Sequence, residues 1–215
     1  MDKIHIIFDP GHANYDITKG KYSPLLTIAE GWDNAVCYKD RFREGMFNRD
    51  IVKRLTKLFD DLGDKIVVHN VSPEDGDVSL GTRVARANKI CDEFGVKNCI
   101  FVSVHANAAG NGKDWMKARG LSVHCCNGCS ATSKRLAQNI YKAGRDKGYA
   151  GNRSVPNDMV WYNNFYVVKH TKCPAVLVEN LFYDNKEDIK LLLDPKHREQ
   201  IAEYIYMGIC NTVLV

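Results

Sequence analysis

The segment KIHIIFDPGH, residues 3–12, combines the pattern of a buried strand with an abrupt polar ending. The apolar run IHIIF predicts a strand over residues 4–8, because such runs, when bounded by turn residues, are typical of strands buried in a sheet. Asp9-Pro10-Gly11 has the composition of a turn, and His12 follows it directly. A turn that directs a histidine outward from a buried strand makes His12 the first candidate for a functional residue.

Strand and helix patterns alternate along the rest of the chain. Apolar residues at helical spacing begin after Glu44 and stop at Gly63, which is a typical C-terminal signal. PAVLVEN, residues 174–180, has the continuous apolar character of a central strand. The alternation predicts an α/β fold, a single domain over residues 1–215 with a largely parallel sheet flanked by helices. The other predicted elements are strands over 65–71, 98–105, 120–126 and 165–170, and helices over 79–95, 130–148, 184–193 and 195–213.

Composition excludes several classes of function. The chain has 215 residues, 26% of them charged, and a net charge of +4, which is too small to indicate nucleic acid as a partner. It contains no run of about 18 apolar residues, so we expect no membrane insertion. Residues 1–12 lack the basic, apolar and small-residue regions of a signal peptide. We therefore expect synthesis in the cytoplasm, followed by retention there or by exit without an N-terminal signal.

Polar residues lie where several predicted elements begin or end. His105 ends the strand over 98–105, Glu179 lies near the end of the strand over 174–180, and Glu44 begins the first long helix. Sites in open α/β sheets form beyond the carboxyl ends of the strands, so these side chains can converge with His12. Two imidazoles and one carboxylate form a zinc site with a position open to water. The pattern is thus compatible with a catalytic zinc site.

Each of these residues also has a simpler explanation. His12 fits an ordinary turn and His105 a hydrogen-bonded histidine at a strand end. Glu44 could stabilise the positive end of its helix, and Glu179 could pair with a lysine. No HExxH helix is present to strengthen the metal interpretation.

The segment HCCNGC, residues 124–129, is a second candidate metal site. Zinc ribbons and fingers need a second pair of ligands at similar spacing, and none follows this segment. We therefore interpret Cys125, Cys126 and Cys129 as reduced thiols at a strand end and turn. A Cys-His hydrolase built from His124 and its neighbours is disfavoured, because adjacent residues of a strand point to opposite faces.

Four blocks of the chain together have a distinctive order and spacing: IIFDPGH (6–12), REGMFNRDI (43–51), VSVHANA (102–108) and PAVLVENLFYDNKED (174–188). In both respects they resemble the zinc-dependent N-acetylmuramoyl-L-alanine amidases of the Amidase_3 family. SLGTRVARAN (79–88) also matches a helix motif of that family, and TKGKYSP (18–24) is similar to its phage and prophage versions.

The resemblance implies a twisted sheet of about six strands and a hydrolase that cuts the amide bond between N-acetylmuramic acid and L-alanine in peptidoglycan. By position, His12, Glu44 and His105 match the family's Zn²⁺ ligands. Glu179 matches its catalytic glutamate, which would take a proton from water and pass it to the leaving amine. The implied partner is peptidoglycan, reached after release or export to the cell wall.

Two positions beside the implied site depart from the family pattern. Ala13-Asn14 stands where many members have Gly-Gly, and Asn180-Leu181-Phe182 stands where many have a small residue followed by Gly-Phe. Neither departure removes an implied ligand, and both could alter the fit of the substrate. Asn48 and Asn107 match motif positions to which the sequence assigns no chemical role.

Two alternatives to the amidase stay open. The chain could be an inactive module that binds peptidoglycan, although that would predict loss of a ligand or of Glu179. It could also be another zinc peptidase acting on wall peptides. The long segment over 13–43, which holds Tyr15, Trp32 and Tyr38, is either a wall of the substrate groove or a solvent-facing loop with buried anchors.

Overall fold

The structure is a computed structural model that describes residues 3–14, 22–26 and 34–214. In this part of the chain, six strands form one sheet and helices cover both of its faces. The α/β class predicted from the sequence is confirmed. The strands are β1 (Ile4–Pro10), β2 (Ile66–Asn70), β3 (Cys99–Asn107), β4 (Ser122–Cys125), β5 (Trp161–Tyr162) and β6 (Ala175–Phe182), and the helices are α1 (Glu44–Asp60), α2 (Leu80–Phe94), α3 (Ala131–Asp146), α4 (Tyr166–His170), α5 (Asp188–Leu193) and α6 (Pro195–Val213).

The strand order brings three carboxyl ends to one edge of the sheet. The order is β2-β1-β3-β6-β4-β5, and the first four of these strands are parallel. β4 runs antiparallel to β6, and β5 runs parallel to β4. His105 on β3 is directly opposite Glu179 on β6. The ends of β1, β3 and β6 therefore lie side by side.

Alternating side chains of the strands fill two hydrophobic clusters, one on each face of the sheet. On β1, Ile6 and Phe8 lie in the cluster that contains residues of α1, α3 and α6, whereas Ile7 lies in the cluster beneath α2 and α4. This is the period of two expected of a strand covered on both faces. The two layers hold the strands in register and so fix the edge where their ends meet.

Two local predictions differ from the structure. The predicted strand over 165–170 is wrong, because Tyr166–His170 forms α4, a single helical segment whose Val167 and Val168 are buried. An apolar run of this length does not distinguish a short helix from a strand. β5 was missed because it comprises only Trp161 and Tyr162. Among the described residues, no helix combines the length and apolar character needed to cross a membrane.

Candidate metal centre

Three of the predicted site residues come together at the carboxyl edge of the sheet. The candidate ligand atoms of His12, Glu44 and His105 all lie within 4.8 Å of one another. Glu44 Oε1 is 3.4 Å from His12 Nε2 and 3.0 Å from His105 Nδ1. Glu44 is buried, and the two histidine rings meet edge to face at 5.1 Å between centroids. Two imidazoles and one carboxylate thus face a common point.

The turn after β1 places His12 through a backbone conformation that is unusual for a side-chain-bearing residue. His12 has φ of 61°, in the left-handed region. The amide of Gly11 donates to the carbonyl of Val104, so the turn stays paired with β3. Asn48 Nδ2 donates to the Gly11 carbonyl at 3.0 Å, and Arg49 Nη1 donates to the His12 carbonyl at 2.8 Å. The conformation is therefore held by α1, which also carries Glu44.

Two glycines allow the elements of this cluster to approach each other. A Cβ added at Gly11 would lie 2.1 Å from His105 Cε1, which is far inside contact distance. A Cβ added at Gly45 would lie 1.8 Å from the carbonyl oxygen of Ala13. The glycine of DPGH and the glycine after Glu44 thus serve close packing at the site.

A buried hydrogen-bond chain orients the ring of His105. Its Nε2 lies 3.1 Å from Ser103 Oγ, and Ser103 donates its hydroxyl proton to Asp9 Oδ2 at 2.8 Å. Asp9 Oδ1 in turn accepts from Arg83 Nη1 at 2.6 Å. Because the Ser103 proton is directed to Asp9, the serine oxygen favours a proton on His105 Nε2. In the neutral ring this leaves the lone pair of Nδ1 on the side of Glu44, as a metal ligand requires, whereas a protonated ring donates from Nδ1 to Glu44.

The charges of the site act strongly on Glu44. Burial alone would raise the pKa of this carboxyl group, but the charge of His12 and hydrogen bonds from His105 and His12 lower it to about 2. A carboxylate is the form that binds a metal ion. Glu179 lies on the neighbouring strand, is partly exposed, and is outside the group of three converging ligands.

The segment after Glu179 contains positioning contacts that sequence reasoning missed. Asn180 Nδ2 donates to the carbonyl of His105 at 2.8 Å, and Tyr204 of α6 donates to Asn180 Oδ1. Leu181 has φ of 66° at the position where the family pattern has glycine. Asn180 and Leu181 are both buried, and Asn180 contacts the backbone of His105.

The other family positions also have structural roles. Asn14 donates from Nδ2 to Asp75 Oδ1 at 2.8 Å, and its amide donates to the Asp75 carbonyl, so the turn after His12 is tied to the loop before α2. Asn107 accepts the amide of Ala108 on its side-chain oxygen and the amide of Tyr183 on its carbonyl. The roles of Asn14 and Asn107 could have been identified only from the hydrogen bonds that they make in the folded structure.

The segment His124–Cys129 does not join the cluster. His124 Nε2 contacts Ser122 Oγ at 2.9 Å, and its Nδ1 accepts from Asn163 Nδ2 at 2.9 Å. Cys125 lies in the cluster under α1, α3 and α6, whereas Cys126 packs against the opposite cluster. Within the described ranges, the one group of three or more potential ligands is the one formed by His12, Glu44 and His105.

The predicted groove wall over 13–43 is described only in part. Tyr15 and Trp32 lie outside the described residues. The guanidinium carbon of Arg43 lies 5.1 Å from the Tyr22 ring centroid and 5.7 Å from that of Tyr38. These aromatics therefore contact the residue that precedes Glu44, and the groove role of Trp32 stays a prediction.

Comparisons with known proteins agree with this architecture. The family model Amidase_3, described as N-acetylmuramoyl-L-alanine amidase, matches residues 6–211. The chain is 32% identical to an uncharacterised cell wall amidase of Bacillus anthracis over 96% of its own length, and 30% identical to the endolysin of Bacillus phage SPP1 over 78%. It spans 35% and 58% of the lengths of these two relatives. The crystal structure of an N-acetylmuramoyl-L-alanine amidase from Clostridium difficile 630 has the same fold, with a TM-score of 0.76, 23% identity, and coverage of 98% of this chain and 97% of that one.

Proposed function

This chain belongs to the Amidase_3 family of N-acetylmuramoyl-L-alanine amidases, and from that premise we propose that it hydrolyses the amide bond between N-acetylmuramic acid and L-alanine in peptidoglycan. The proposal assigns Zn²⁺ to His12, Glu44 and His105 and general acid–base chemistry to Glu179. The observation that carries it is the convergence of three ligand atoms within 4.8 Å at the edge of the sheet that also holds Glu179.

The donor set fits a catalytic zinc ion. Catalytic zinc sites use three protein ligands, commonly histidine nitrogens with or without a carboxylate, and keep one position open. A bound zinc ion would supply a Lewis acid that polarises the scissile carbonyl and makes a water molecule more acidic. Ser103 and Asp9 would hold the ring of His105 in the ligand orientation, and α1 would fix Glu44 and the backbone of His12.

Glu179 is suited to move the proton that hydrolysis requires. Water adds to the carbonyl carbon, the bond from that carbon to nitrogen breaks, and a proton must pass from the water to the leaving amine. A carboxylate next to the metal ligands, but not one of them, can accept this proton and then donate it. A fourth protein ligand would close the site, so the separate position of Glu179 favours catalysis over a structural role for the metal.

The alternatives make different predictions for the same protein. An inactive wall-binding module does not require Glu179, whereas an amidase does. Another zinc peptidase would cut within the stem peptide and leave the bond to the sugar intact. We propose that the chain acts on the cell wall after release or export from the cell in which it is made.

Digestion of purified peptidoglycan tests the proposed reaction. We expect new N-terminal alanine in the soluble fraction with no increase in reducing sugar, because an amidase frees the alanine amine and leaves the glycan intact. New reducing ends would identify a glycosidase, and release of terminal D-alanine alone would identify a carboxypeptidase. Binding without any product would support the inactive module. A chelator-treated sample and the Glu179→Gln variant are the controls.

A further inference from the structure

A second charged residue lies beside Glu179 and has no part in the chemistry derived above. Arg153 lies in the loop between α3 and β5, and its guanidinium carbon is 5.0 Å from the Phe182 ring centroid and 5.4 Å from the Trp161 ring centroid. Phe182 ends β6, the strand of Glu179, and Trp161 begins β5. Two aromatic rings thus contact this cation near the carboxyl edge of the sheet.

Two hydrogen-bond donors of Arg153 are left without acceptors within the described part of the chain. Its Nε and Nη2 atoms are buried, and neither has an acceptor there. Burial lowers the pKa of Arg153, and the charges of Glu179 and Asp188 act in the opposite direction. Arginine nonetheless stays charged in proteins. The side chain as a whole is half-buried, and leaving its two buried N–H groups without acceptors is costly unless another group completes them.

We propose that Arg153 binds a carboxylate of the stem peptide, on the side of the scissile bond that carries L-alanine. The inference rests on the proposed amidase function. The sugar and the lactyl amide of a muramyl peptide carry no charge, so the peptide is the part that offers carboxylates. A guanidinium is planar, and contact with two rings restrains it, so its N–H groups suit the paired oxygens of a carboxylate.

The opposite side of the candidate metal centre has a different character. A cavity of about 250 Å³ adjoins His12 and His105 on the side of β1 and α2, and its wall includes Asp77, Val78 and Leu80. Its arginine, Arg83, is already paired with Asp9. An acidic and apolar wall disfavours a carboxylate and accepts a neutral group. The substrate would therefore lie with its sugar towards β1 and its peptide towards β5.

Two synthetic muramyl dipeptides test this direction directly. In both, the second residue is glutamate with its γ-carboxyl group amidated, and they differ only in whether its α-carboxyl group is free or is also an amide. We expect the wild-type protein to show about a tenfold higher kcat/KM for the acid, mainly through KM, since charge-assisted hydrogen bonds are the stronger kind. Arg153→Met should lose this preference, and Arg153→Lys should keep part of it. Arg145→Met, which removes an exposed arginine of α3, should preserve it.

The outcomes separate the inference from the proposed function. Hydrolysis of both substrates with equal efficiency by the wild-type protein would overturn the role of Arg153 and leave the amidase intact. An equal loss on both substrates in Arg153→Met would indicate a structural role for Arg153 and would also overturn the inference.

If neither substrate is cut, the amidase proposal fails, and a binding measurement decides the role of Arg153. The dipeptide alanyl-glutamine, whose α-carboxylate is free, should then bind the wild-type protein more tightly than its α-amide in NMR titrations, and equal affinity would contradict the inference. The same titration applies if Arg153→Met does not fold.

Discussion

The His12–Glu44–His105 cluster and the segment His124–Cys129 present potential metal ligands in opposite ways. The three residues of the cluster are distant in sequence, yet their ligand atoms lie within 4.8 Å of one another. The residues of the segment are adjacent in sequence, yet Cys125 and Cys126 pack on opposite faces of the sheet. The cluster lies at the carboxyl ends of β1 and β3, whereas Cys126 and Cys129 lie near Ala175, at the amino end of β6.

The difference shows that topology is a better guide to a site than spacing along the chain. Parallel strands bring their carboxyl ends to one edge, so residues that follow different strands can meet there. Successive residues within a strand diverge because the side chains alternate between faces. The predictions below test whether the chemistry of the molecule follows this spatial arrangement, beginning with the largest expected effect.

The largest effect is expected for the removal of a proposed metal ligand. His105→Ala should reduce zinc from about one ion per chain to a small fraction of that and should abolish hydrolysis, since three protein ligands are needed to hold a catalytic zinc. Cys126→Ser is the matched control from the other end of the sheet and should retain full zinc. Elemental analysis of both proteins decides the comparison. Full zinc in His105→Ala together with loss in Cys126→Ser would move the site to the cysteine segment.

The next largest effect is expected for Glu179, whose replacement should affect proton transfer but not metal binding. Glu179→Gln should keep its zinc and fold but lose at least about a hundredfold in rate, the usual scale for a general acid–base group. Glu187→Gln removes a nearby carboxylate that pairs with Lys190 and should leave the rate unchanged. Turnover of muramyl peptide and zinc content are measured on both variants. A folded Glu179→Gln protein with normal turnover would exclude the proposed role.

The edge at which the site residues meet could be predicted from the sequence because it depends on strand order and direction alone. The apolar runs of β1, β3 and β6 and the helix that begins at Glu44 indicated that these residues could converge, and the family resemblance supplied the assignment of the ligands. The contacts that hold the site could not be predicted, because Ser103 bonds to Asp9, and Asn180 and Tyr204 likewise act through partners far away in sequence. The short α4 was wrongly predicted for a related reason, since five residues carry too little periodicity.

An intermediate effect is expected from adding a methyl group at each end of the sheet. Gly11→Ala would place a Cβ 2.1 Å from His105 Cε1, so the ring must shift from its position beside Glu44. We expect about a tenfold or greater loss of zinc affinity and a loss of about 1–3 kcal/mol of stability, as for other overpacked sites.

Gly128→Ala is the control at the other end of the sheet. A Cβ at Gly128 would meet no atom within 4 Å, but the residue has φ of 71°, so the substitution should cost about 1 kcal/mol of stability and leave zinc affinity unchanged. Chelator competition and denaturant unfolding measure the two quantities. Equal zinc affinity in the two variants would show that the close approach of Gly11 to His105 is unimportant for the site.

The smallest effect concerns the pH dependence contributed by His124, the first residue of the cysteine segment. Burial, and then the charge of Arg153, lower the pKa of His124 to about 4, well below the ordinary value of 6.5. Its Nδ1 accepts a hydrogen bond from Asn163 Nδ2. Protonation of Nδ1 would replace this bond with an unfavourable contact between two N–H donors. His124 in the unfolded chain therefore becomes protonated near pH 6.5, whereas in the folded protein it becomes protonated only near pH 4. The free energy of unfolding consequently falls as the pH is lowered between these two values.

His124→Gln should remove this contribution, which we expect to be about 1–2 kcal/mol at pH 5. The free energy of unfolding of the variant should then change less than that of the wild-type protein between pH 7 and pH 5, whereas His170→Gln, at an exposed histidine, should retain the wild-type slope. A chelator should leave the difference between His124→Gln and wild type unchanged, because both ring nitrogens of His124 already have partners other than a metal. Should the chelator abolish that difference, His124 would be contributing to a metal site, and the distinction drawn between the two ends of the sheet would fail.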